Sequence, residues 1–275
     1  MIPNHILILG SPNSGKLRVS KLISNDKDFP EIKENESHSG IIIKTSLSTK
    51  YYHIKLNILI DEYPEERNKS VTDEEKLLDL EKWFNEFKSE EFGELREVLD
   101  GLVFTVNMKA DSLEFIEKAL ETVSEIRTSL GDEESQWDGF ISIIGSTTQG
   151  ESVDDDTVEE IEDLVITHGF EFINLNTQGI NEFKEKQGKD RVVELIESHE
   201  WTNMELLKVN PDQYEKNKMN KVEQMKQNLL EEKESMDLDV VFSKLSVAKE
   251  RAEDMTQEQK EKYANEIIEE IIDFI

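Results

Sequence analysis

A glycine-rich stretch near the start of the chain has the spacing of a phosphate-binding loop. Residues 10–16 read Gly-Ser-Pro-Asn-Ser-Gly-Lys, and they directly follow an apolar run at residues 6–9. In loops of this kind, glycines let backbone N–H groups surround an anion, and the lysine reaches the β and γ phosphates at the start of the next helix. The residues that this pattern assigns to phosphate or cofactor binding are Gly10, Ser14, Gly15 and Lys16.

Two positions that a working GTPase needs for magnesium and for the γ phosphate carry unsuitable side chains. The loop lysine should be followed by Ser or Thr, but the residue here is Leu17, and an aliphatic side chain cannot ligate a hard cation. An Asp-x-x-Gly motif should follow the third strand. Asp61 is instead followed by Glu-Tyr-Pro, and Pro64 has no N–H with which to sense a phosphate. The sequence therefore predicts no catalytic residue and no metal ligand.

The segment that would read a guanine base is also altered. An Asn/Thr-Lys-x-Asp motif is expected after the fifth strand, whereas residues 146–149 read Ser-Thr-Thr-Gln, without the lysine or the carboxylate. Losing one bidentate base contact costs about 1–3 kcal/mol, by analogy with base readout elsewhere. We expect a vestigial loop that holds no cofactor. Weak binding of GTP or GDP without useful hydrolysis is the alternative.

Around these motifs, strand patterns alternate with helix patterns. Buried strands are indicated by short apolar runs at residues 6–9, 102–106, 140–144 and 170–175. Residues 41–43 and 52–60 predict two further strands that pair antiparallel through a turn at 48–50. Helical stripes separate most of these runs, and Thr72 with Glu75 has the pattern of a capping box. The sequence predicts an α/β fold with a mostly parallel, six-stranded sheet flanked by helices.

The last part of the chain changes character. Residues 1–203 carry the α/β pattern, whereas residues 204–236 are rich in Lys, Glu, Asn and Gln and predict a polar linker, either helical or disordered. Residues 237–275 carry two apolar helical stripes, which predict an amphipathic hairpin. Such a stripe behind a long linker favours contact with a partner or a second copy, and packing on its own domain is the alternative. The expected contact residues are Phe242, Leu245, Ile267, Ile268, Ile271 and Ile272.

Composition argues against several classes of function. The chain has 62 Asp and Glu against 32 Lys and Arg, a formal net charge of -30. Binding to nucleic acid or to anionic membrane surfaces is therefore not expected, because phosphates are held by clustered cations. The absence of cysteine excludes disulfides and thiolate metal sites. No run approaches the ~20 apolar residues that span a bilayer, and we expect a cytoplasmic protein without membrane insertion.

Three segments of the chain carry a family resemblance. The first is Lys-Tyr-Tyr at residues 50–52, which leads into the strand at 56–60. The second combines Thr-His-Gly-Phe-Glu-Phe at 167–172, Arg-Val-Val at 191–193 and Trp-Thr-Asn at 201–203. The third, and the most specific, is Phe-Ser-Lys-Leu at 242–245, followed by Lys249, Ala252, Glu258, Gln259 and Ala-Asn-Glu at 264–266. Together these segments touch most of the chain, and they resemble the alpha- and gamma-adaptin-binding protein family.

The resemblance implies a small-GTPase-like fold and a protein that is not an enzyme. It implies binding to adaptin subunits of clathrin adaptor complexes, with a role in their assembly or in vesicle traffic, and self-association is a second expectation for the C-terminal stripe. An acidic surface agrees with this, since it complements basic patches on a partner. Two alternatives stay open. One is a nucleotide-binding switch in vesicle traffic, because the loop departs from the more degraded loops expected in animal relatives. The other, more distant, is a genome-maintenance role without direct DNA contact.

Overall fold

Seven strands and six helices are present in the part of the chain that the structure describes. A computed structural model describes residues 2–24, 29–30, 37–64, 71–131, 137–148 and 150–207. The strands are β1 (Asn4–Gly10), β2 (Ile41–Ser48), β3 (Tyr52–Glu62), β4 (Leu99–Asn107), β5 (Phe140–Ser146), β6 (Glu171–Asn174) and β7 (Glu205–Leu206). The helices are α1 (Lys16–Ile23), α2 (Asp73–Phe87), α3 (Gly93–Val98), α4 (Leu113–Leu130), α5 (Asp155–Thr167) and α6 (Gly188–Ser198).

All of these strands belong to one sheet, in the order β2-β3-β1-β4-β5-β6, with β7 paired to the start of β3. Strands β3, β1, β4, β5 and β6 run parallel to one another, whereas β2 and β7 pair antiparallel with β3. The predicted α/β fold with helices around a mostly parallel sheet is confirmed. The predicted antiparallel pair near the edge is confirmed as well, with Ile41 opposite Ile60.

Both faces of the sheet are covered by helices, which explains why its central strands are apolar throughout. Alternate residues of β1 belong to two different buried clusters, Ile6 and Ile8 to one and Leu7 and Leu9 to the other. Helices α1 and α6 contribute to the first cluster, and α2, α4 and α5 to the second. Every residue of β4 is buried, as expected of a parallel strand between two helical layers.

Side chains cap the three longest helices at their N-termini. The Thr72 hydroxyl accepts from the Glu75 N–H, and the Glu75 carboxylate accepts from the Thr72 N–H at 2.9 Å, so the predicted capping box is confirmed. Ser112 caps α4 and Asp154 caps α5 in the same way, each accepting from a backbone N–H three residues on. These caps satisfy N–H groups that have no partner inside the helix.

The strand count is a correction to the sequence prediction, which gave six strands. The seventh, β7, has only two residues, and its partners Tyr52 and His53 lie at the start of β3. A strand this short carries no hydrophobic period, because alternation needs several residues to be recognised. The short helix α3 and a single 3-10 turn at Glu90–Phe92 were not predicted for the same reason.

The predicted linker at 204–236 lies almost wholly outside the described residues, and the hairpin at 237–275 lies entirely outside them. The predictions for both segments therefore stay predictions. Among the residues described up to Leu207, the structure contains no helix that combines the length and the apolar character needed to cross a bilayer.

Candidate functional site

The loop at residues 10–16 leaves the carboxyl end of β1 in the middle of the sheet. Gly10 lies in register with Glu62 at the end of β3 and with Thr105 near the end of β4. Ligands of open α/β sheets bind at the carboxyl ends of the strands, where such loops meet. The fold thus brings the loop, Glu62 and Thr105 together at the position where a phosphate site would be expected.

Two glycines of the loop are required by its geometry. Gly15, directly before α1, has φ +98°, in the left-handed region that favours glycine. A Cβ at Gly10 would lie only 2.1 Å from Thr105 Oγ1. Ser14 Oγ holds the turn closed, since it donates to the Ser11 carbonyl at 2.7 Å and lies 2.6 Å from Thr105 Oγ1. These residues form the compact loop that the motif predicts, while their role in cofactor binding stays a prediction.

The loop lysine points back into the protein. Lys16 is 2% exposed, and its ammonium donates to the Gly10 carbonyl at 2.9 Å and to the Ser11 carbonyl at 2.5 Å. Its Nζ also lies 2.9 Å from Glu62 Oε2. The group that would bind the β and γ phosphates of a nucleotide therefore contacts two carbonyls and a carboxylate of the same chain.

Glu62 lies here because successive side chains of β3 point to opposite faces of the sheet. Along that strand Ile54, Leu56, Ile58 and Ile60 are buried on the face that packs with α1, and Glu62 continues the same period. Its side chain is 0% exposed, and Oε2 also lies 3.4 Å from His38 Nδ1. An ionised carboxylate is stable in such a place only when it is paired, as it is here with Lys16. Sequence reasoning missed Glu62, although the period-2 pattern of β3 pointed to it.

The segment in place of the Asp-x-x-Gly motif has structural partners. Asp61 Oδ2 accepts from Trp83 Nε1 of α2 at 2.6 Å, and Asp61 Oδ1 accepts from the hydroxyl of Ser39. Tyr63 is buried with its ring 6.0 Å from that of Phe104, and burial raises the pKa of its phenol well above the usual range, with Asp111 adding to the effect. These contacts anchor the end of β3 to α2, to the residues before β2 and to β4.

The segment in place of the guanine-reading motif is bound to the loop. Ser146 Oγ donates to the Ser14 carbonyl at 2.7 Å, and Arg18 Nη1 donates to the Thr147 carbonyl at 2.7 Å. Asn176 Nδ2 completes the contact by donating to Thr147 Oγ1 at 2.9 Å. Residues 146 and 147 are thus tied to the loop at residues 10–16, to α1 and to the residues after β6.

An acidic cavity of about 530 Å³ lies near this segment, between α5, the residue that follows β4 and the end of β6. Its lining includes the carboxylates of Glu151, Asp155, Glu159 and Glu162. Like charges repel, so this lining does not favour a phosphorylated ligand. Among the described residues, no group of three or more His, Asp or Glu side chains is placed to hold a metal ion.

A second polar cluster lies at the opposite, amino end of the sheet, and sequence reasoning did not single it out. Asp100 accepts from the His5 N–H at 2.8 Å and from Thr202 Oγ1 at 2.6 Å. Asn4 and Asn203 exchange two hydrogen bonds, of 2.8 and 2.9 Å. The Trp-Thr-Asn motif at 201–203 therefore ties the end of the described chain to β1 and β4, which is a structural role.

The structure thus brings together Gly10, Ser14, Gly15 and Lys16 and adds Glu62 to them. The predicted partner-binding residues Phe242, Leu245, Ile267, Ile268, Ile271 and Ile272 lie outside the described residues.

Comparison with known proteins places the chain among a set of fungal relatives. A family model described as "Alpha and gamma adaptin binding protein p34" matches residues 185–270. The chain is 62% identical to the Increased recombination centers protein 6 of Candida albicans, with 100% of both chains covered. It is 36% identical to the protein of the same name from Clavispora lusitaniae, with 98% of each chain covered.

A solved structure, described as "Yeast Irc6p - A Novel Type of Conserved Clathrin Accessory Protein", has a similar fold. The TM-score is 0.51 at 22% identity, and the match covers 75% of this chain and 98% of that chain. At this identity the likeness concerns the fold alone. It agrees with a central sheet flanked by helices.

Proposed function

This chain belongs to the adaptin-binding family that includes the fungal Increased recombination centers protein 6, and from that premise we propose a non-catalytic role in clathrin-adaptor traffic. In this proposal the protein has a small-GTPase-like fold and binds adaptin subunits of clathrin adaptor complexes. It assists their assembly or the traffic of clathrin-coated vesicles. The family membership that the sequence resemblance predicted is confirmed by these matches.

The observation that carries the proposal is the family match at residues 185–270. The family is described by its binding to alpha and gamma adaptin, and the match begins just before α6 and extends to residue 270. It includes four of the six predicted contact residues, Phe242, Leu245, Ile267 and Ile268, and ends one residue before Ile271. A protein of the same fold is described as a clathrin accessory protein, which supports the same assignment.

The small-GTPase-like part of the proposal is supported by the order of the strands and by the loop. A phosphate-type loop follows the first, central strand, and an antiparallel β2 lies outside β3 at one edge. The motif spacing at residues 10–16 stands in the expected context, after a strand and before a helix. Together these features support a fold of the small-GTPase type.

The absence of catalysis and of a bound cofactor is supported by what surrounds the loop. Lys16 is paired with Glu62, Leu17 offers no oxygen to a metal, and Pro64 has no N–H at the switch position. A GTPase needs all three functions to position and stabilise the γ phosphate. We propose that the chain carries no nucleotide and no metal, and that it works in the cytoplasm without inserting into membranes or binding nucleic acid.

Capture of adaptins tests the proposal. The full-length chain, purified and immobilised, should retain adaptin subunits from a cytosolic extract, and purified adaptin subunits should bind it directly. A matched control is the chain ending at residue 207, which lacks most of the family match. Failure of intact, folded protein to bind any adaptin subunit would reject the assignment.

A nucleotide-binding switch is the second candidate, favoured by the compact loop itself. Its test is chromatography of the nucleotides released when purified protein is denatured. We expect none in stoichiometric amount and no magnesium-dependent hydrolysis of GTP. One equivalent of GDP or GTP per chain would establish the switch and overturn the cofactor-free proposal.

A further inference from the structure

The loop at residues 10–16 retains the features of an anion site although it has lost its magnesium ligand. The backbone turns as such a loop requires, with Gly15 in the left-handed region directly before α1. The buried ammonium of Lys16 lies within the loop. The Ser11 hydroxyl is 1% exposed, and its Oγ has no hydrogen-bond partner within the part of the chain that the structure describes. Buried hydroxyls without a partner are uncommon in folded proteins.

We propose that the Glu62 carboxylate is the resident anion of this loop, and that removing it converts the loop into a binding site for a phosphoryl group. The chain would then carry, as part of its own β3, the negative charge that a nucleotide phosphate supplies in related loops. This inference rests on the proposed function only in holding that the wild-type chain carries no nucleotide.

The position of the carboxylate supports this assignment. Glu62 Oε2 lies 2.9 Å from Lys16 Nζ, a distance typical of a charge-assisted hydrogen bond. A phosphate oxygen held by the loop lysine would make the same contact. The Glu62 carboxylate and a phosphate therefore cannot both bind the Lys16 ammonium at the same time. The register of β1 and β3 fixes this arrangement, because Gly10, where the loop begins, is paired with Glu62.

The electrostatics of the site explain why the wild-type loop rejects a second anion. The Lys16 and Glu62 side chains are 1% and 0% exposed, so their opposite charges neutralise one another in a medium that screens poorly. A phosphate entering the loop would meet the Glu62 carboxylate at short range, and the two like charges would repel each other. Loss of the carboxylate leaves the ammonium, the start of α1 and the Ser11 hydroxyl, which together favour an anion.

The test compares full-length wild-type protein with Glu62→Ala and Glu62→Gln. The probe is inorganic pyrophosphate without metal, and the readouts are isothermal titration calorimetry and the shift of the melting temperature with added pyrophosphate. Glu62→Ala removes both charge and volume, whereas Glu62→Gln removes the charge and keeps the size. We expect each variant to bind pyrophosphate at least about tenfold more tightly than the wild type. The larger gain is expected for Glu62→Ala.

A second substitution shows whether the new binding belongs to this loop. In a Lys16→Met, Glu62→Ala double variant the gain should disappear, because the ammonium that would hold the phosphate is gone. If Glu62→Ala does not fold, Glu62→Gln decides, since it preserves the packing. A folded Glu62 variant with no gain, or a gain that survives the loss of Lys16, overturns the proposal. Equally tight binding by the wild type does so too. Adaptin capture is a separate readout, so failure of this inference is distinguishable from failure of the adaptin-binding proposal.

Discussion

At the scale of single residues, the pair of Lys16 and Glu62 is the interaction on which the loop depends most. Both side chains are almost completely buried, and two backbone carbonyls share the lysine with the carboxylate. Burying one ion without its partner is much more costly than burying both, because the remaining charge has lost both its water and this counter-charge. The stability of the domain should therefore respond to the two residues as a unit.

We predict non-additive effects of Lys16→Met and Glu62→Leu on stability. Each single variant should lower the free energy of unfolding by about 3–5 kcal/mol, and the double variant should lower it by less than the sum. Urea unfolding of the four proteins gives the coupling directly. As a control, the exposed pair of Glu114 and Lys118 on α4 should show no measurable coupling when both are replaced by Ala. Additive losses at the buried pair would contradict the prediction.

Two histidines at the amino end of the sheet predict a loss of stability in mild acid. Burial lowers the pKa of His5 and of His199 below the usual 6.5, although the nearby Asp100 opposes this. The unfolded chain takes up these protons first as the pH falls through 6.5, so the folded state becomes less stable there.

The free energy of unfolding should therefore fall between about pH 7 and pH 5.5, and His5→Gln with His199→Gln should flatten that slope. Urea titrations at several pH values measure it. An unchanged slope in the His5 and His199 double variant would reject this explanation.

At the scale of elements, the start of α2 depends on a local interaction that the sequence predicts correctly. We expect Thr72→Ala to lower the free energy of unfolding by about 1 kcal/mol, because the Glu75 N–H loses its acceptor. Thermal or urea unfolding is the measurement. Ser89→Ala is a matched control, because Ser89 stands before the 3-10 turn without a side-chain cap and its loss should have no measurable effect.

The strands and helices differ in how well they could be predicted from the sequence. Strands such as β1 and β4 were recognised because they are apolar runs of sufficient length, and the capping box because its residues are local. Strand β7 and helix α3 were missed because two and six residues carry too little periodicity. The loop was found from its spacing, whereas Glu62 was missed because its contact with Lys16 depends on the register of β1 against β3, a long-range property.

The C-terminal stripe gives a further prediction at this scale. If it serves a partner, Ile268→Asp with Ile271→Asp should abolish adaptin binding or self-association, while the α/β domain melts at its wild-type temperature. Each such side chain contributes roughly 1.5–3 kcal/mol when fully buried. Capture assays and thermal melts are both needed.

The matched control carries Leu78→Asp and Ile166→Asp, two changes at apolar side chains that are 53% and 58% exposed on α2 and α5. This control variant should bind adaptin subunits as tightly as the wild type does. Parallel loss of melting temperature and binding in the Ile268 and Ile271 variant would favour packing of the stripe on its own domain.

At the scale of the whole molecule, the net charge of -30 should affect the rate at which the protein associates with a partner. Carboxylates attract a basic surface over distances of about one Debye length, roughly 30 Å at 0.01 M salt and 8 Å at 0.15 M. We predict that the association rate with an adaptin subunit falls at least about tenfold over this range, while the dissociation rate changes little. Surface-based kinetics at graded salt measure both rates. An association rate independent of salt would exclude steering by charge.

Strand β3 has eleven residues, and its two ends serve different neighbours. Its first residue pairs with β7, and the Leu207 N–H donates to the Tyr51 carbonyl at 2.8 Å, so the described chain leaves the sheet beside the start of β3. Its last residue is Glu62, roughly 33 Å away at about 3.3 Å per residue. A signal carried along the backbone from the loop to the residues after 207 must travel the length of a strand that is hydrogen-bonded on both sides. Such a strand is stiff, and we expect it to isolate the residues after 207 from changes at the loop. If those residues bind a partner, as we propose, that binding should not depend on the state of the loop.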